Sequence, residues 1–347
     1  MHPDYLIIGA GIIGLATAEK LLVEGAQVTL LERGGVGQES SWAGGGILSP
    51  LCPWDYPDEV TRLTNRGAAL FPEWAADLHS ASGIDPEYAR CGMRVLPPVD
   101  VHAAQQWCVA HEISLQVSDE MLFLPDIAQV RSPCLLRALR RRVETLGGVI
   151  VEHCAVRELV AGTGRVQSLV TTNGQYQAQN YVVTAGAWSK EVLGRHALKL
   201  NIRPVRGQML LFKFASPPVP HIVVQGDWYL IPRCDGHVLV GSTLEETGFD
   251  KSTTKTARDS LLLWARGVLP ELHNMQPVKH WAGLRPASPD NIPVIGQHPS
   301  VDNLYLNSGH FRYGVTMAPV SAEILLNEIF PRAQPFDVAV YKAGWGN

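Results

Sequence analysis

Apolar and polar positions near the start of the chain are grouped in a way that predicts a strand, a helix and a second strand. Residues 5–8 form a short apolar run that stops at a glycine, as a buried parallel strand does. Residues 15–25 are rich in Ala, Leu, Glu and Lys and predict a helix. Residues 27–31 form a second apolar run, which ends at Glu32. This order predicts the first unit of a parallel sheet covered by helices.

Three glycines, Gly9, Gly11 and Gly14, lie in the turn between the first strand and the helix. The first allows a tight turn, the second lets the backbone approach a pyrophosphate, and the third lets the helix pack closely on the sheet. The N-terminus of the helix offers N–H groups and a partial positive charge to phosphates. Glu32, about 20 residues further on, is placed to accept hydrogen bonds from a ribose diol. The unit predicts a dinucleotide site; an accidental glycine-rich turn and a signal peptide are the alternatives, and early charged residues argue against the latter.

The loop at residues 34–50, GGVGQESSWAGGGILSP, follows the second strand directly. Ser40 and Ser41 offer hydroxyl groups, and the glycines at 44–46 allow the backbone to pass close to a flat or anionic ligand. A flexible surface loop is the alternative. The position beside the first glycine motif and the apolar residues that flank the glycines favour ligand contact.

Further elements are predicted along the first two thirds of the chain. Residues 57–83 predict one amphipathic helix that is broken near Pro72. Residues 133–147 predict a basic helix with a stripe of leucines, whose arginines face solvent. Residues 166–186 predict two strands around an Asn-Gly turn, and residues 181–189 predict another crossing of the nucleotide-binding sheet.

The pattern changes after residue 201, where short strands follow one another. They predict an antiparallel sheet, which is better suited to covering a substrate than to a nucleotide-binding half. Two helices are predicted near the end of the chain, at residues 254–269 and from Pro319 to about residue 329. The predicted strands are residues 206–212, 228–232 and 237–241.

Composition limits the possible functions. The chain has 347 residues, of which 46% are hydrophobic and 18% charged, which is ordinary for a globular protein with one large or two smaller domains. A net charge of −4 gives no general attraction to nucleic acid or anionic lipid, and no apolar run is long enough for a membrane span. The six cysteines form no CxxC pair, which favours a reduced, cytoplasmic location. The 12 histidines lack metal-binding spacing, so no metal site is expected.

Several motifs, taken in order, carry a resemblance to a known family. They are DYLIIGAGIIGLATA with Glu32, SSWAGGGILSP, NYVVTAGAWS, RPVRGQ, YLIPR, GLRPASPDNIPVIG and GHFRYGVTMAP. Together they resemble the D-amino acid oxidase superfamily of flavoproteins, and within it the glycine oxidases of bacterial thiazole synthesis. The similarity covers nearly the whole chain, and the last two motifs are the most specific.

The predicted fold is α/β, or α+β overall. It consists of a Rossmann-type FAD-binding domain, assembled from discontinuous segments, with an inserted, mainly antiparallel β substrate domain. We expect residues 1–84, 131–200 and 281–347 in the FAD-binding domain, and residues 85–130 and 201–280 in the substrate domain.

The resemblance implies FAD, bound in an extended form and non-covalently. At the pyrophosphate it implies Gly9, Gly11, Ile12, Ile13 and Gly14, and at the pyrophosphate and flavin edge Ser40, Ser41, Gly45, Gly46 and Ile47. At the adenosine end it implies Glu32 for the ribose, Arg33 near the adenosine and Val156 for the adenine, and it adds Gly186 after the strand of the NYVVTAGAWS motif. Along the isoalloxazine ring it implies His310, Phe311, Arg312, Tyr313, Gly314, Val315 and Thr316.

For the substrate, the resemblance implies a carboxylate held by Arg285 and Arg312, with Tyr229 in the pocket wall. An arginine offers a planar, permanently charged fork that matches a carboxylate. The alternative for each arginine is a structural salt bridge, and for the tyrosine a hydroxyl in solvent. Leu244 and Ile47 stand where glycine oxidases have methionines, a change that conserves volume.

The expected reaction is oxidation of glycine or a similar small amino acid by hydride transfer from Cα to the flavin. We assign no catalytic side chain, because the flavin is the chemical agent. Molecular oxygen is the expected acceptor, and the products would be an oxo acid (glyoxylate), ammonia and hydrogen peroxide. The alternatives are an oxidase or a quinone-reducing dehydrogenase of another amine (sarcosine, a D-amino acid or iminodiacetate), a flavin-binding subunit without turnover, and an NAD enzyme. Both a monomer and a homo-oligomer are compatible with the sequence, and the resemblance implies that dimers or tetramers are common in the family.

Overall fold

The computed structural model describes residues 2–118 and 121–346. Within these ranges the α-helices are α1 (Ile12–Val23), α2 (Ser40–Ala43), α3 (Asp58–Ser82), α4 (Val101–Ala110), α5 (Ser132–Thr145), α6 (Ser189–Leu193), α7 (Lys255–Val268), α8 (Gly314–Ile329) and α9 (Ala339–Ala343). The strands are β1 (Tyr5–Ile8), β2 (Val28–Leu31), β3 (Ala89–Arg90), β4 (Met93–Val95), β5 (Gln116–Val117), β6 (Leu122–Leu124), β7 (Ala128–Gln129), β8 (Val149–Val151), β9 (Val156–Ala161), β10 (Val166–Thr171), β11 (Gly174–Tyr176), β12 (Asn180–Val183), β13 (Arg203–Lys213), β14 (Ile222–Gln225), β15 (Trp228–Pro232), β16 (His237–Gly241), β17 (Lys279–Ala287), β18 (Val294–His298) and β19 (Val301–Ser308).

A six-stranded sheet in the order β18-β19-β12-β1-β2-β8 forms the centre of the nucleotide-binding part. β1 pairs in parallel with β2 and β12, β12 with β19, and β2 with β8, whereas the edge strand β18 is antiparallel to β19. All four residues of β1 are buried, as expected for a central strand covered on both faces. The carboxyl ends of β1, β2, β12 and β19 therefore meet at one edge of the sheet.

Helices α1, α3, α5 and α8 pack on one face of this sheet and form one continuous apolar core. The opposite face is covered by a smaller sheet in the order β11-β10-β9 and by the segment around Leu200. The turn between β10 and β11 is the predicted Asn-Gly hairpin.

The predicted break near Pro72 is wrong, because α3 runs through this residue without interruption. The proline ring lies on the exposed face of the helix, whereas Leu63, Phe71 and Leu78 on the other face are fully buried. The burial of large apolar side chains on both sides of the proline stabilises the helix by more than the lost backbone hydrogen bond costs.

An eight-stranded sheet in the order β17-β13-β16-β15-β14-β4-β6-β5 forms the second layer. All its pairings are antiparallel except that of β14 with β4. One face packs on α7 through Leu261, Leu262 and Ala265, and the other bears Met209, Tyr229 and Ile231. The predicted class, a Rossmann-type sheet with a mainly antiparallel second sheet, is confirmed.

The predicted domain boundary at residues 280–281 falls within β17, which pairs with β13 along its whole length. This strand belongs to the eight-stranded sheet and also reaches the nucleotide-binding sheet through the segment that follows it. The division into two domains at the stated boundaries stays a prediction.

The last long helix, α8, begins at Gly314, five residues before the predicted start at Pro319. The prediction used the preference of proline for the first helical position, but here the proline lies in the second turn. The difference matters because the earlier start brings the N-terminus of α8 to the same sheet edge as Gly9. Within the described residues, none of the helices has the length and apolar character that crossing a membrane requires.

Candidate active site

A cavity of about 350 Å³ runs along the carboxyl ends of β1, β2, β12 and β19. Residues of β13, β15 and β17 in the eight-stranded sheet form its other wall. The cavity brings together all of the predicted site residues except Gly14 and Thr316. Residues separated by up to about 300 positions thus face one space, as is usual at the carboxyl edge of an open parallel sheet.

The glycine turn after β1 has the geometry of a phosphate-binding loop. Gly9 has a φ of +107°, and a Cβ there would lie 2.7 Å from the carbonyl oxygen of Thr184. Gly14 does not line the cavity, but a Cβ on it would lie 2.0 Å from the carbonyl oxygen of Gly9. The first position needs glycine for its backbone conformation and the second for the close packing of α1 on the turn.

Glu32 lies at the end of β2, where its carboxylate is buried and fixed by the backbone. Oε2 accepts a hydrogen bond from Ala10 N at 2.8 Å, and Oε1 accepts one from Gly34 N at 2.9 Å. Each carboxylate oxygen keeps a further acceptor site for a ribose hydroxyl. Ser41 Oγ accepts from the N–H of Ile12 at 3.0 Å, so this N–H group of the helix is already satisfied, while the serine proton stays available to a ligand.

The outer end of the cavity contains an aromatic residue that the sequence analysis did not assign. The guanidinium of Arg33 lies 3.4 Å from the centre of the Trp188 ring and also pairs with Glu39 at 2.5 Å. Val156 lines the same end. Trp188 follows the small residues after β12, in the motif NYVVTAGAWS. This position, directly after a strand of the nucleotide-binding sheet, is the feature of the sequence that could have identified Trp188 as a site residue.

The segment after β19 leads into α8 and forms the inner end of the cavity. Phe311 has a φ of +45°, in the left-handed region, and its N–H donates to the carbonyl of Pro286 at 2.9 Å. Gly314 and Val315, the first two residues of α8, line the cavity. Thr316 lies one position deeper, and its hydroxyl donates to the carbonyl of Ile47 at 3.1 Å.

His310 lies at this inner end, and only 2% of its surface is exposed. Burial lowers its pKa to about 3, so the imidazole is neutral at neutral pH. Its Nε2 has no hydrogen-bond partner within the described ranges, and neither has Oδ1 of the buried Asn307, another cavity residue. Unsatisfied buried polar atoms beside a cavity fit a site that is completed by a polar ligand.

Arg285 reaches the cavity from β17. Its Nη1 donates to the carbonyl of Thr243 at 3.1 Å and its Nη2 to Ser242 Oγ at 2.5 Å. Gly207 on the neighbouring strand makes room, since a Cβ there would lie 2.2 Å from the guanidinium. The pKa of Arg285 is lowered, mainly by burial and to a lesser degree by the neighbouring Arg312. The Arg285 side chain lines the cavity and is partly exposed. Within the described residues it has no carboxylate partner, so its charge is free to bind an anion.

Arg312 differs in that it forms the structural salt bridge that the sequence left open. Its Nη1 pairs with a carboxylate oxygen of Asp227, and its Nη2 donates to the carbonyl of the same residue at 3.3 Å. Burial acts to lower the pKa of Arg312, but Tyr313, Tyr56 and the aspartate together raise it above its usual value. The two arginines are therefore not equivalent, since Arg312 is paired with a carboxylate and Arg285 is not, as far as the described residues go.

Tyr229 lines the cavity and is buried, and its hydroxyl does not lie in solvent. The hydroxyl donates to Met209 Sδ at 3.7 Å, so the tyrosine and the methionine form one wall. Ile47 lines the cavity as expected, but Leu244 is 41% exposed and lies outside it. Met209 is a pocket residue that the sequence analysis missed, because nothing marks one apolar residue of a strand as facing a ligand.

Comparison with known proteins agrees with this geometry. The family described as FAD dependent oxidoreductase (DAO) matches residues 4–327. The chain belongs to this family. The predicted membership of the D-amino acid oxidase family is thus confirmed. The cofactor of the protein is FAD, and the protein is an enzyme. The alternatives of an NAD enzyme and of a subunit without turnover are wrong.

Individual relatives match nearly the whole chain. A "Glycine oxidase" of Pseudomonas aeruginosa is 40% identical over 358 aligned positions, which cover 98% of both chains. A "Bifunctional protein ThiO/ThiG" of Trichormus variabilis is 30% identical over 95% of this chain and 53% of its own length. The crystal structure of glycine oxidase from Geobacillus kaustophilus superposes with a TM-score of 0.93 over 98% of both chains, at 23% identity, which shows a common fold.

Proposed function

We propose that the protein oxidises glycine, or an amino acid of similar size, with FAD as the electron acceptor. The observation that carries this proposal is Arg285, a positively charged fork at the inner end of the cavity that pairs with no carboxylate in the described part of the chain. A substrate carboxylate fits it by charge and by planar geometry. The relatives named glycine oxidase support glycine as the substrate.

The proposed cofactor residues fit FAD along the cavity. The glycine turn and the N-terminus of α1 would hold the pyrophosphate, Glu32 the ribose, and Val156 the adenine, while Arg33 with Trp188 would close the adenosine end. The loop at residues 44–47 and the segment at residues 310–315 would border the flavin ring. Their common support is that they line one continuous cavity.

The protein's own residues would bind and orient the substrate. Arg285 would fix the carboxylate, and Tyr229 would either hydrogen-bond it or close the pocket. When bound, FAD accepts a hydride from the substrate Cα. Fixed orientation contributes about 7–11 kcal/mol to such a reaction in the best-aligned cases. Because burial lowers the pKa of His310 to about 3, its imidazole is a weak base, and we assign it no proton transfer. The imine product would hydrolyse to glyoxylate and ammonia.

The apolar wall favours a small substrate. Met209 and Tyr229, which line the cavity, pack against the glycine loop, so that a Cβ on Gly45 would lie 3.3 Å from Tyr229 Cε2. A substrate with a large side chain would have to displace this wall. Sarcosine, D-amino acids and iminodiacetate are the alternatives within the same reaction class.

A panel of substrates tests the proposal. Oxygen consumption, hydrogen peroxide and glyoxylate should be measured with glycine, sarcosine, D-alanine and iminodiacetate. We expect the highest kcat/KM with glycine and one peroxide formed per oxygen consumed. A higher kcat/KM with another amine would reject glycine, and substrate oxidation that needs an added quinone would reject oxygen as acceptor.

A role in making the thiazole of thiamine is the remaining part of the proposal. It rests on the resemblance to glycine oxidases of thiazole synthesis and on the 30% identity to the ThiO/ThiG relative. A thiamine requirement in a strain that lacks this protein, relieved by the intact gene, is the expected result. Growth of that strain without thiamine would contradict the role.

A further inference from the structure

The glycine loop that borders the cavity has all its carbonyl groups bound by the protein. Five consecutive carbonyls, those of residues 43–47, each accept a hydrogen bond from a donor outside the loop. In chain order, the donors are Trp281 Nε1 at 3.2 Å, Ser132 Oγ at 3.1 Å, Arg233 Nη2 at 2.6 Å, Val130 N at 2.9 Å and Thr316 Oγ1 at 3.1 Å. The loop cannot turn a carbonyl toward the cavity without losing one of these bonds.

The N–H groups of the same loop show the opposite pattern. Within the described residues, those of Gly45, Gly46 and Ile47 donate to no protein acceptor, although all three residues line the cavity. In a trans peptide group the N–H points away from the carbonyl oxygen. Since each of these N–H groups shares its peptide group with a bound carbonyl, each points away from the donors that hold the loop. Unpaired backbone N–H groups beside a cavity indicate an acceptor supplied by a ligand.

Arg233 is the charged member of the set of donors. It follows β15, is 4% exposed, and also donates through Nη1 to Gln129 Oε1 at 2.6 Å and to the carbonyl of Val130 at 2.9 Å. No carboxylate lies within ion-pair distance of it among the described residues. A charge buried on neutral carbonyls alone is costly, which indicates a specific use for it.

The charge state of this arginine is secure. Burial first, and the nearby Arg131 second, lower its pKa to about 10. The guanidinium therefore remains protonated at neutral pH, and all its hydrogen bonds to the loop and to the neighbouring segment are charge-assisted.

We propose that Arg233 is a positioning residue for the flavin: it holds the Gly45 carbonyl away from the cavity, so that the N–H groups of the loop donate to acceptor atoms on the edge of the flavin ring. The edge of this ring carries nitrogen and oxygen atoms that gain electron density on reduction. Donors fixed in advance therefore bind the reduced form more tightly than the oxidised form. This inference rests on the proposed placement of the ring beside the loop, and not on the proposed substrate.

The test is the midpoint potential of the holoenzyme, measured by anaerobic redox titration, together with the retention of FAD on gel filtration. Arg233→Met removes the donors at similar side-chain volume. We expect the variant to lose FAD more readily. We also expect the ratio of its affinity for reduced FAD to its affinity for oxidised FAD to fall about tenfold, which lowers the midpoint potential by about 30 mV. An unchanged potential would overturn the proposal, including the case in which only FAD retention falls, because a contact to the pyrophosphate would give that result.

Arg131→Met is the matched control for loss of a neighbouring positive charge. Arg131 pairs with Glu87 at 2.9 Å and Asp235 at 3.0 Å, and its side chain does not bind the loop. Its potential should stay at the wild-type value. An equal shift in this control would show an effect of charge and not of loop position, and would overturn the proposal.

One mild variant decides the question if Arg233→Met does not fold. Ser132→Ala removes the hydroxyl that holds the Gly44 carbonyl, whose peptide group contains the unpaired N–H of Gly45. This variant should lower the potential in the same direction, by less than the arginine variant. If it retains the wild-type potential and spectrum, the loop carbonyls do not govern the flavin and the proposal fails. None of these readouts requires glycine, so a failure of the proposed substrate would leave them unchanged.

Discussion

Replacing Arg285 by methionine should raise KM for glycine much more than the same replacement of Arg312, the other arginine of the cavity. Arg285 has no carboxylate partner in the described part of the chain and is fixed by Ser242 and by the carbonyl of Thr243. A substrate carboxylate would supply its missing counter-charge. The variant should therefore bind substrate much more weakly, without a comparable loss of FAD.

The magnitude follows from the burial of the pair. Removing one partner of a buried ion pair costs about 3–5 kcal/mol, or roughly 100- to 5,000-fold in affinity. Arg285 faces the cavity and is only partly buried, so the lower limit applies. We expect KM for glycine to rise about 100-fold at pH 7.

Arg312→Met is the comparison, because this guanidinium already pairs with Asp227. Its loss should raise KM by about tenfold, the lower end of the range for one hydrogen bond to a charged group. The assay is steady-state oxygen uptake with both variants at equal flavin content. If KM of the Arg285 variant remains within a few-fold of wild type, or if the Arg312 variant is affected more, the assignment of the carboxylate site is incorrect.

Three further predictions concern the cofactor turn, the buried histidine and the pocket tyrosine. Gly14→Ala should abolish FAD binding, because the new Cβ would lie 2.0 Å from the carbonyl oxygen of Gly9. The measurement is the flavin absorbance of the purified protein. Gly267→Ala is the control and should retain flavin, because a Cβ at this position within a helix meets open space. The pKa of His310 is lowered to about 3 in the folded protein, so the unfolded protein binds one more proton between about pH 6.5 and pH 3. The free energy of unfolding should therefore fall by up to about 1.4 kcal/mol for each pH unit over this range. Urea titrations should show a smaller fall in His310→Gln, and identical pH profiles of the two proteins would refute this. Tyr229→Phe should raise KM for glycine about three- to tenfold if its hydroxyl turns from the methionine sulfur to the substrate, and an unchanged KM would leave it only a wall residue.

The cofactor end of the site could be predicted from sequence because its determinants are local. The strand, the three glycines and the helix lie within about 20 residues, and each glycine has a steric reason that holds in any such turn. The position of Glu32 follows from the length of the helix that precedes its strand. The same local reasoning places the loop at residues 34–50 beside the glycine turn, and most of its residues line the cavity.

The substrate end was less accessible because it depends on pairings between distant segments. Arg233 stands in the motif YLIPR, but its role depends on a carbonyl 188 residues earlier in the chain. The pairing of Arg312 with Asp227 spans 85 residues. Met209 could not be distinguished from other core residues of β13. Spacing along the chain does not encode which strand of the second sheet lies against the flavin-binding edge.

The helices show the same limit in simpler form. Proline lacks an N–H and disfavours a helix interior, which predicts a break at Pro72, whereas apolar packing on the opposite face overrides this preference. The preference of proline for the first helical position predicts a start at Pro319, whereas α8 begins at Gly314. In both cases tertiary packing decided what local preference could not.

The most direct test of the account is the visible spectrum of the purified protein under anaerobic conditions, before and after addition of glycine. We predict an oxidised flavin spectrum that bleaches on addition of glycine and returns when oxygen is admitted. A flavin spectrum that stays oxidised with glycine but bleaches with another amine would contradict the proposed substrate. A protein that binds no FAD would contradict the account of the site as a whole.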